Sequence, residues 1–552
     1  MRGRFSVALV TGVLVATIGS GAAVALPVAA ASRAAAPSRG PGEPLSPKLR
    51  SIPELSGGQT ARNAAMPQVA SSAPCNSAWN VVGSPNASSG RNILAGLAAN
   101  APNDVWAVGY FVNGSSVYQT LAEHWDGSVW GVVTTPNVGP GNNLLTAVTA
   151  IGPGDVWAVG FWRPGDSSTY AQPLTEHWNG NGWTVVPTPN APNSSAPLYG
   201  VSGDAPNDVW AVGIAIAWPV DPNLGLHAHA YAFQWKGNGW TSVPTANVIA
   251  PIGGPGIDAM GLNGVKVFGP NNAWAVGDGQ DYTGGSPSSP DMAFIEHWDG
   301  TNWNQVSLQT KPNGDFLIDV QGTSTDLWAV GGQNQSYGSK EDYVLTEHWT
   351  SMTNTWTEVP GPTPQQSANL LGLGYLAGNN IYAVGASASF SPGSTQGTFV
   401  ATDQTLVERW DGNSWTQLTS GNVGTSDALT AITAISASDV WAAGLSVVAG
   451  QFPQTLTENY CVPPAVTSVT PLSGNAGSTV VITGTGFSRA IDVEFGSTPA
   501  FTFRVDSDTQ ITATSPGHKA GMVDIRVTVQ GTSATSSADQ FTYQFSRTGS
   551  AA

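Results

Sequence analysis

Apolar and polar residues alternate along most of this chain in short runs, and glycine, asparagine, aspartate and proline stand between the runs. A period of two turns one face of each run inward, so the runs are expected to be β-strands and the polar stretches turns. The runs also recur as a unit. Asp-Val-Trp-Ala-Val-Gly occupies 104–109, 155–160 and 208–213, with variants at 272–277, 326–331, 380–385 and 439–444. Successive copies lie 51, 53, 64, 54, 54 and 59 residues apart. Glu-His-Trp-Asp-Gly, as at 123–127 and 296–300, or a variant of it, follows each copy. Each repeat parses into four strands, which in the second copy are a (144–151), b (156–160), c (174–178) and d (183–187).

A period near 50 built from short strands, none able to bury its faces alone, predicts the blades of a propeller. Seven copies make the expected fold class all-β, a seven-bladed β-propeller over 75–461. Nineteen of the 21 Trp fall at three repeat positions, on strands b, c and d. A residue demanded at the same place in every copy is expected to pack blade on blade. The last copy has no strand d after it, whereas Ala78-Trp79-Asn80-Val81-Val82 near the start reads like Gly182-Trp183-Thr184-Val185-Val186. The N-terminal segment is therefore expected to complete the seventh blade. Cys75 and Cys461 both map to the c–d turn of that blade, the one turn whose chain is cut, so a Cys75–Cys461 disulfide is expected to replace it.

The N-terminus, Met-Arg-Gly-Arg and then an apolar run rich in Ala and Gly, reads as a signal peptide over 1–31. Residues 32–74, rich in Ala, Pro, Ser and Gly, read as a disordered linker. Export suits a pair of cysteines and predicts a secreted, extracellular or cell-surface location. The mature chain is expected to have no membrane span. Of 552 residues only 10% are charged, and Gly plus Pro total 66 + 39 = 105. Over 75–461 there are 28 Asp and Glu against 7 Lys and Arg, a balance of 7 − 28 = −21. That field disfavours a nucleic-acid partner.

After Pro463-Pro464 the repeat stops. The stretch 466–487, with Pro471-Leu472-Ser473-Gly474 and Gly484-Thr485-Gly486-Phe487, and the closing Phe541-Thr542-Tyr543 resemble the IPT/TIG family over 462–545, before a short tail at 546–552. The resemblance implies an immunoglobulin-like β-sandwich, usually a spacer or interaction module, with no chemistry of its own. The propeller portion resembles kelch and galactose-oxidase-like propellers in its period and its Gly-ended strand b. It resembles WD-repeat blades more weakly, through the Trp-Asp pair closing strand c. The kelch diglycine occurs only at Gly331-Gly332, and the Gly-His pair of WD blades is absent. These resemblances imply a fold and no activity. A galactose-oxidase-type copper site needs a Cys cross-linked to a Tyr, and both cysteines are assigned to ring closure.

Function is expected where the repeat varies. The b–c segments 161–173, 214–230, 278–292, 332–344 and 386–404, with the interblade stretch 244–261, share one face of the ring, and variable loops on a rigid scaffold are where binding concentrates. Trp162 and Trp218, the two Trp outside the repeat, lie there with Tyr170, Tyr282, Tyr337, Asp166 and Asp221. Aromatic faces beside acceptors suit a glycan or a protein surface. They equally suit loops packed onto the blades. No metal set is assignable. His227 and His229, near Asp221, form a weak divalent-metal candidate, and Asp278 and Asp281, with Asp291, a weak Ca²⁺ candidate. The recurring Glu-His pairs are spread around the ring, which argues for structural bonding. The expected function is a non-catalytic binding protein of an extracellular glycan or protein. The alternative is a secreted polysaccharide-active enzyme with carboxylates at the channel mouth. The sequence leans against catalysis, with no phosphate loop, nucleophile elbow or His-Glu-x-x-His.

Overall fold

A computed structural model of the chain describes residues 75–544, apart from 166–169, 190–193, 218–227, 247–256, 284–285, 288–291, 309–313, 335–341 and 393–398. The expected signal peptide, linker and tail lie outside the described residues. The described residues contain strands and no helix.

Blade 1 is an antiparallel meander of strand a (Asn92–Ala101), b (Asp104–Val112), c (Tyr118–Trp125) and d (Trp130–Val133). The same order recurs seven times in all. Blades 3 and 4 share one larger sheet, because Ala228 on strand c of blade 3 pairs in parallel with Ala259 on strand a of blade 4. The seven a strands stand side by side, and strand a of blade 7 (Ser426–Ser436) returns to that of blade 1, where Thr430 Oγ1 donates to the Leu94 carbonyl at 2.7 Å. The fold is a β-propeller.

Ring closure follows the expected route. Strand d of blade 7 is Ala78–Val82, antiparallel to strand c (Gln454–Cys461), with Ala78 opposite Cys461 and Trp79 opposite Tyr460. Cys75 and Cys461 form the disulfide.

Two features explain the repeated hexapeptide. Strand a carries a β-bulge in every blade, between Leu94 and Gly96 in the first and between Leu429 and Ala431 in the last. Opposite the bulge stands the Gly that ends the motif. A Cβ on Gly109 would lie 2.0 Å from the Ile93 carbonyl oxygen, and one on Gly385 1.9 Å from that of Asn369. No side chain fits there. The Trp of the motif reaches into the next blade. Trp106 meets Trp178 at 4.8 Å and Trp183 edge-on at 5.3 Å, and Trp441 closes the ring onto Trp125 at 4.7 Å and Trp130 at 5.3 Å. Blade 6 substitutes Tyr382, which meets Tyr460 and the N-terminal Trp79. Each such pair adds about 0.5–1.5 kcal/mol beyond the area it buries.

The C-terminal module is a two-sheet sandwich. One sheet holds Ala465–Thr470, Thr479–Thr485, Gln510–Thr514 and Thr502–Ser507; the other holds Asp492–Phe495, Gly521–Thr528 and Gln540–Tyr543 with two short edge strands. Val480, Ile482, Phe487, Phe495, Ile525 and Phe541 fill its core.

Candidate functional site

The two faces of the ring are built differently. On one, strand a turns to b through two residues in six blades, and c turns to d through four. Asp126 shows how the c–d turns hold. Its Oδ1 accepts from the Ser128 and Val129 amides at 2.8 and 2.9 Å, while Gly127 takes φ 98°. Asp299 and Asp411 do the same at their turns, and these backbone amides hold all three carboxyls below the usual range. On the other face the b–c connections run from five residues in blade 1 (113–117) to ten in blade 3 (218–227). These are shorter than the sequence implies, because the strands continue into them. The segment 386–404 is mostly a hairpin, with strand b reaching Pro392 and strand c starting at Phe399.

The Glu-His pairs do not converge on a site. His124, His177 and His348 each donate from Nε2 to the Asp that opens strand b of the same blade, at 2.8, 2.7 and 2.6 Å, and His297 donates to Asn272 at 2.9 Å. Each ring lies against the strand-b Trp at 4.2–4.4 Å, stacked in blades 2, 4 and 5 and tilted in blade 1. The neighbouring Glu points the other way, into the seam with the previous blade. Glu458 accepts from the Gly421 amide at 3.0 Å and Glu296 from the Ala246 amide at 3.2 Å, so the carboxyl receives the link between blades. Burial pushes Glu176, Glu408 and Glu458 up to about 8, and Glu123 well above its ordinary range. These groups are structural.

The axis offers little room. A cavity of about 90 Å³ is lined by Gly96, Ala147, Gly200, Asn263, Asp319 and Ile432, among others. Asp319 is committed, accepting from the Leu373 amide at 2.9 Å and the Val320 amide at 2.8 Å. Lys266 is half-buried within electrostatic reach of Asp319 and Asp204. Burial lowers its pKa, and the two carboxylates oppose the shift. A cavity this size holds a few waters.

Of the candidates on the variable face, Trp218, Tyr337, Asp166, Asp221 and His227 lie outside the described residues. Trp162 ends strand b of blade 2, half-buried, with its ring near the blade 1–2 link at Gly139 and packed on the core between those blades. Tyr170 is half-buried just before strand c. Asp281 and Tyr282 sit in strand b of blade 4, opposite Asp258 and Ile257, rather than in a loop. Asp278 accepts from Asn263 Nδ2 at 2.6 Å. His229 lies in strand c of blade 3, exposed, opposite Ala215. Among the described residues no group of three or more His, Cys, Asp or Glu could hold a metal, and no helix is long and apolar enough to cross a membrane.

One junction has no signal in the repeat. Arg489 of the C-terminal module reaches the turn face of blade 7 and binds Asp439. The hint in the sequence is a gap: strand c of blade 7 carries Asn459 where four blades carry His.

Residues 464–543 match the family model described as IPT/TIG domain. No curated protein matches the chain. Among solved structures, YCF48 bound to D1 peptide is 14% identical at TM-score 0.40, covering 72% of this chain and 98% of that one. The polysaccharide lyase Uly1 is 11% identical at TM-score 0.39, covering 65% and 88%. A fungal alcohol oxidase of the AA5 family, in complex with copper, is 11% identical at TM-score 0.27, covering 75% and 98%. At these values the likenesses carry no argument about what this chain binds. The C-terminal module is an IPT/TIG domain.

Proposed function

We propose that this chain is an exported, non-catalytic binding protein, a seven-bladed kelch-like propeller whose variable b–c face holds an extracellular glycan or protein. The observation that supports this most is the contrast between the faces. One is a set of near-identical two- and four-residue turns, partly covered by the IPT/TIG domain. The other carries connections of differing length and composition, rich in aromatic and acidic residues. A disulfide fits an oxidising compartment. Asp319, the carboxylate that lines the axial cavity, is bonded within the fold.

The test is a glycan, polysaccharide and extracellular-protein binding array probed with the non-reduced chain, with and without added Ca²⁺, each well also assayed for released sugar. Retention without product is the expected result. Release of sugar that a single Asp→Asn change abolishes would instead establish an enzyme.

A further inference from the structure

In blades 1, 2, 4 and 5 the strand-c His makes two contacts at once. Its Nε2 reaches the Asp or Asn that opens strand b, and its ring covers the strand-b Trp. Blade 6 achieves the same with Arg409, whose Nε donates to Asn380 Oδ1 at 3.1 Å and whose guanidinium lies 5.7 Å from the centre of the Tyr382 ring. Blade 7 has Asn459 in this place. Its Nδ2 reaches Asp439 Oδ1 at 3.1 Å, as Gln234 Nε2 reaches Asp208 Oδ1 at 3.0 Å in blade 3, so strand c of blade 7 supplies neither ring nor guanidinium to Trp441. The cover comes from outside the ring. Arg489 donates from Nε to Asp439 Oδ2 at 2.7 Å and from Nη2 to Oδ1 at 2.5 Å, and from Nη1 to Asn459 Oδ1 at 3.3 Å. Its guanidinium stands 5.0 Å from the centre of the Trp441 ring and 5.7 Å from that of Trp125. The side chains of Arg489 and Asp439 are 8% and 1% exposed.

Three further contacts surround it. Ser438 Oγ donates to Asp508 Oδ1, and the Ser436 and Ser488 hydroxyls meet at 3.4 Å. Val529, with Ala490, packs on the Cys75–Cys461 disulfide. The domain is joined to strand c of blade 7 by little more than Val462-Pro463-Pro464, where proline limits the backbone.

We propose that the IPT/TIG domain is the clasp of the propeller: Arg489 supplies the strand-c group that blade 7 lacks, and the domain seals the disulfide beneath it. The domain is then a fixed part of the turn face at the seam between the two chain ends, and it leaves the b–c face open. A planar fork suits this role, since it matches a carboxylate with two bonds and stacks on indole at the same time.

The test uses the full chain. Wild type unfolds in one calorimetric transition, and dithiothreitol under native conditions reduces its disulfide slowly. In Arg489→Ala the IPT/TIG domain melts separately from the ring, proteolysis near 462–464 releases it, and native-state reduction speeds up at least tenfold. Arg504→Ala, which removes an exposed side chain paired with Asp506, changes none of these. Should Arg489→Ala leave too little folded protein, Asn459→His added to it decides the matter. It gives blade 7 the ring that blades 1, 2, 4 and 5 carry, so it restores the melting temperature of the propeller while the IPT/TIG domain stays releasable. Two independent transitions in wild type, or reduction as fast in wild type as in Arg489→Ala, would overturn the proposal. So would a double variant in which the ring is not restored.

Discussion

Replacing Cys75 and Cys461 with serine is expected to destabilise the ring by about 3–6 kcal/mol. The bond spans 386 residues of sequence, and in the loop-entropy model cross-linking so long a segment removes close to 6 kcal/mol of freedom from the unfolded chain. Strain and residual structure in the unfolded state reduce that figure in practice, which sets the lower bound. The position of the bond adds to its importance. Among the described strands, strand d of blade 7 alone returns from the other end of the chain, and it carries Trp79, which packs against Tyr382 and Tyr460 at the last interblade seam. Without the bond this edge frays first, because the strand is five residues long and pairs with a single neighbour, Gln454–Cys461. The expected readouts are a melting temperature lower by several degrees and early cleavage around 75–85 by a non-specific protease. A serine variant that melts with wild type and resists cleavage there would show that the strand holds the ring unaided.

Stability is expected to fall as pH rises from about 4.5 to 8. Glu176, Glu408 and Glu458 keep their protons in the folded state up to about 8 because each is buried in an interblade seam. In the unfolded chain a glutamate loses its proton near its ordinary value, close to 4.5. Between those values the folded state binds more protons than the unfolded state, so unfolding releases protons and is favoured by raising the pH. The stabilisation is complete below about 4.5, declines across the window and is gone above about 8. Three groups acting together make the effect on the order of several kcal/mol. The aspartates with lowered pKa oppose it weakly, since Asp126, Asp299 and Asp411 sit in solvent-exposed turns. Thermal melts at pH 5 and pH 8.5 check the sign. The higher melting temperature is expected at pH 5, with a smaller difference in a Glu176→Gln, Glu408→Gln, Glu458→Gln triple variant. A melting temperature that rises with pH would contradict the assignment of neutral, buried glutamates.

Much of the architecture is written in the repeat itself. A hexapeptide that recurs at one strand position reports an environment that recurs, and Trp157 or Gly385 can be placed from that alone. The closure by Trp79 and the Cys75–Cys461 pair follow from the same register, since both ends fit one missing turn. The bulge in strand a left no mark, because the inserted residue differs from blade to blade, as Ala95, Thr146 and Thr430 show. The hairpin of blade 6 is hard to tell from a connection, because Ser387, Ser389 and Ser391 alternate with Ala388 and Phe390 in a polar context. Asn459, where four blades carry His, marks a gap in blade 7, but the partner that fills it, Arg489, is not legible for a different reason. The junction joins a repeat position to a residue beyond the repeat, so no periodicity carries it. The candidate binding residues are less legible still. Aromatic and acidic side chains in connections serve packing and recognition alike, and half-buried Trp162 near Gly139 shows the packing role in place.

The central claim is that ligand is held on the b–c face and not on the turn face. The most direct measurement compares affinity for whichever glycan or protein the array retains. The set is wild type, Trp162→Ala, Trp218→Ala and a turn-face variant, Asp299→Ala, with melting temperatures taken alongside. The account predicts that the tryptophan variants lose at least tenfold in affinity while staying folded, and that Asp299→Ala binds as wild type does. Undiminished binding in both tryptophan variants, with loss in Asp299→Ala, would contradict it and move the site to the turn face.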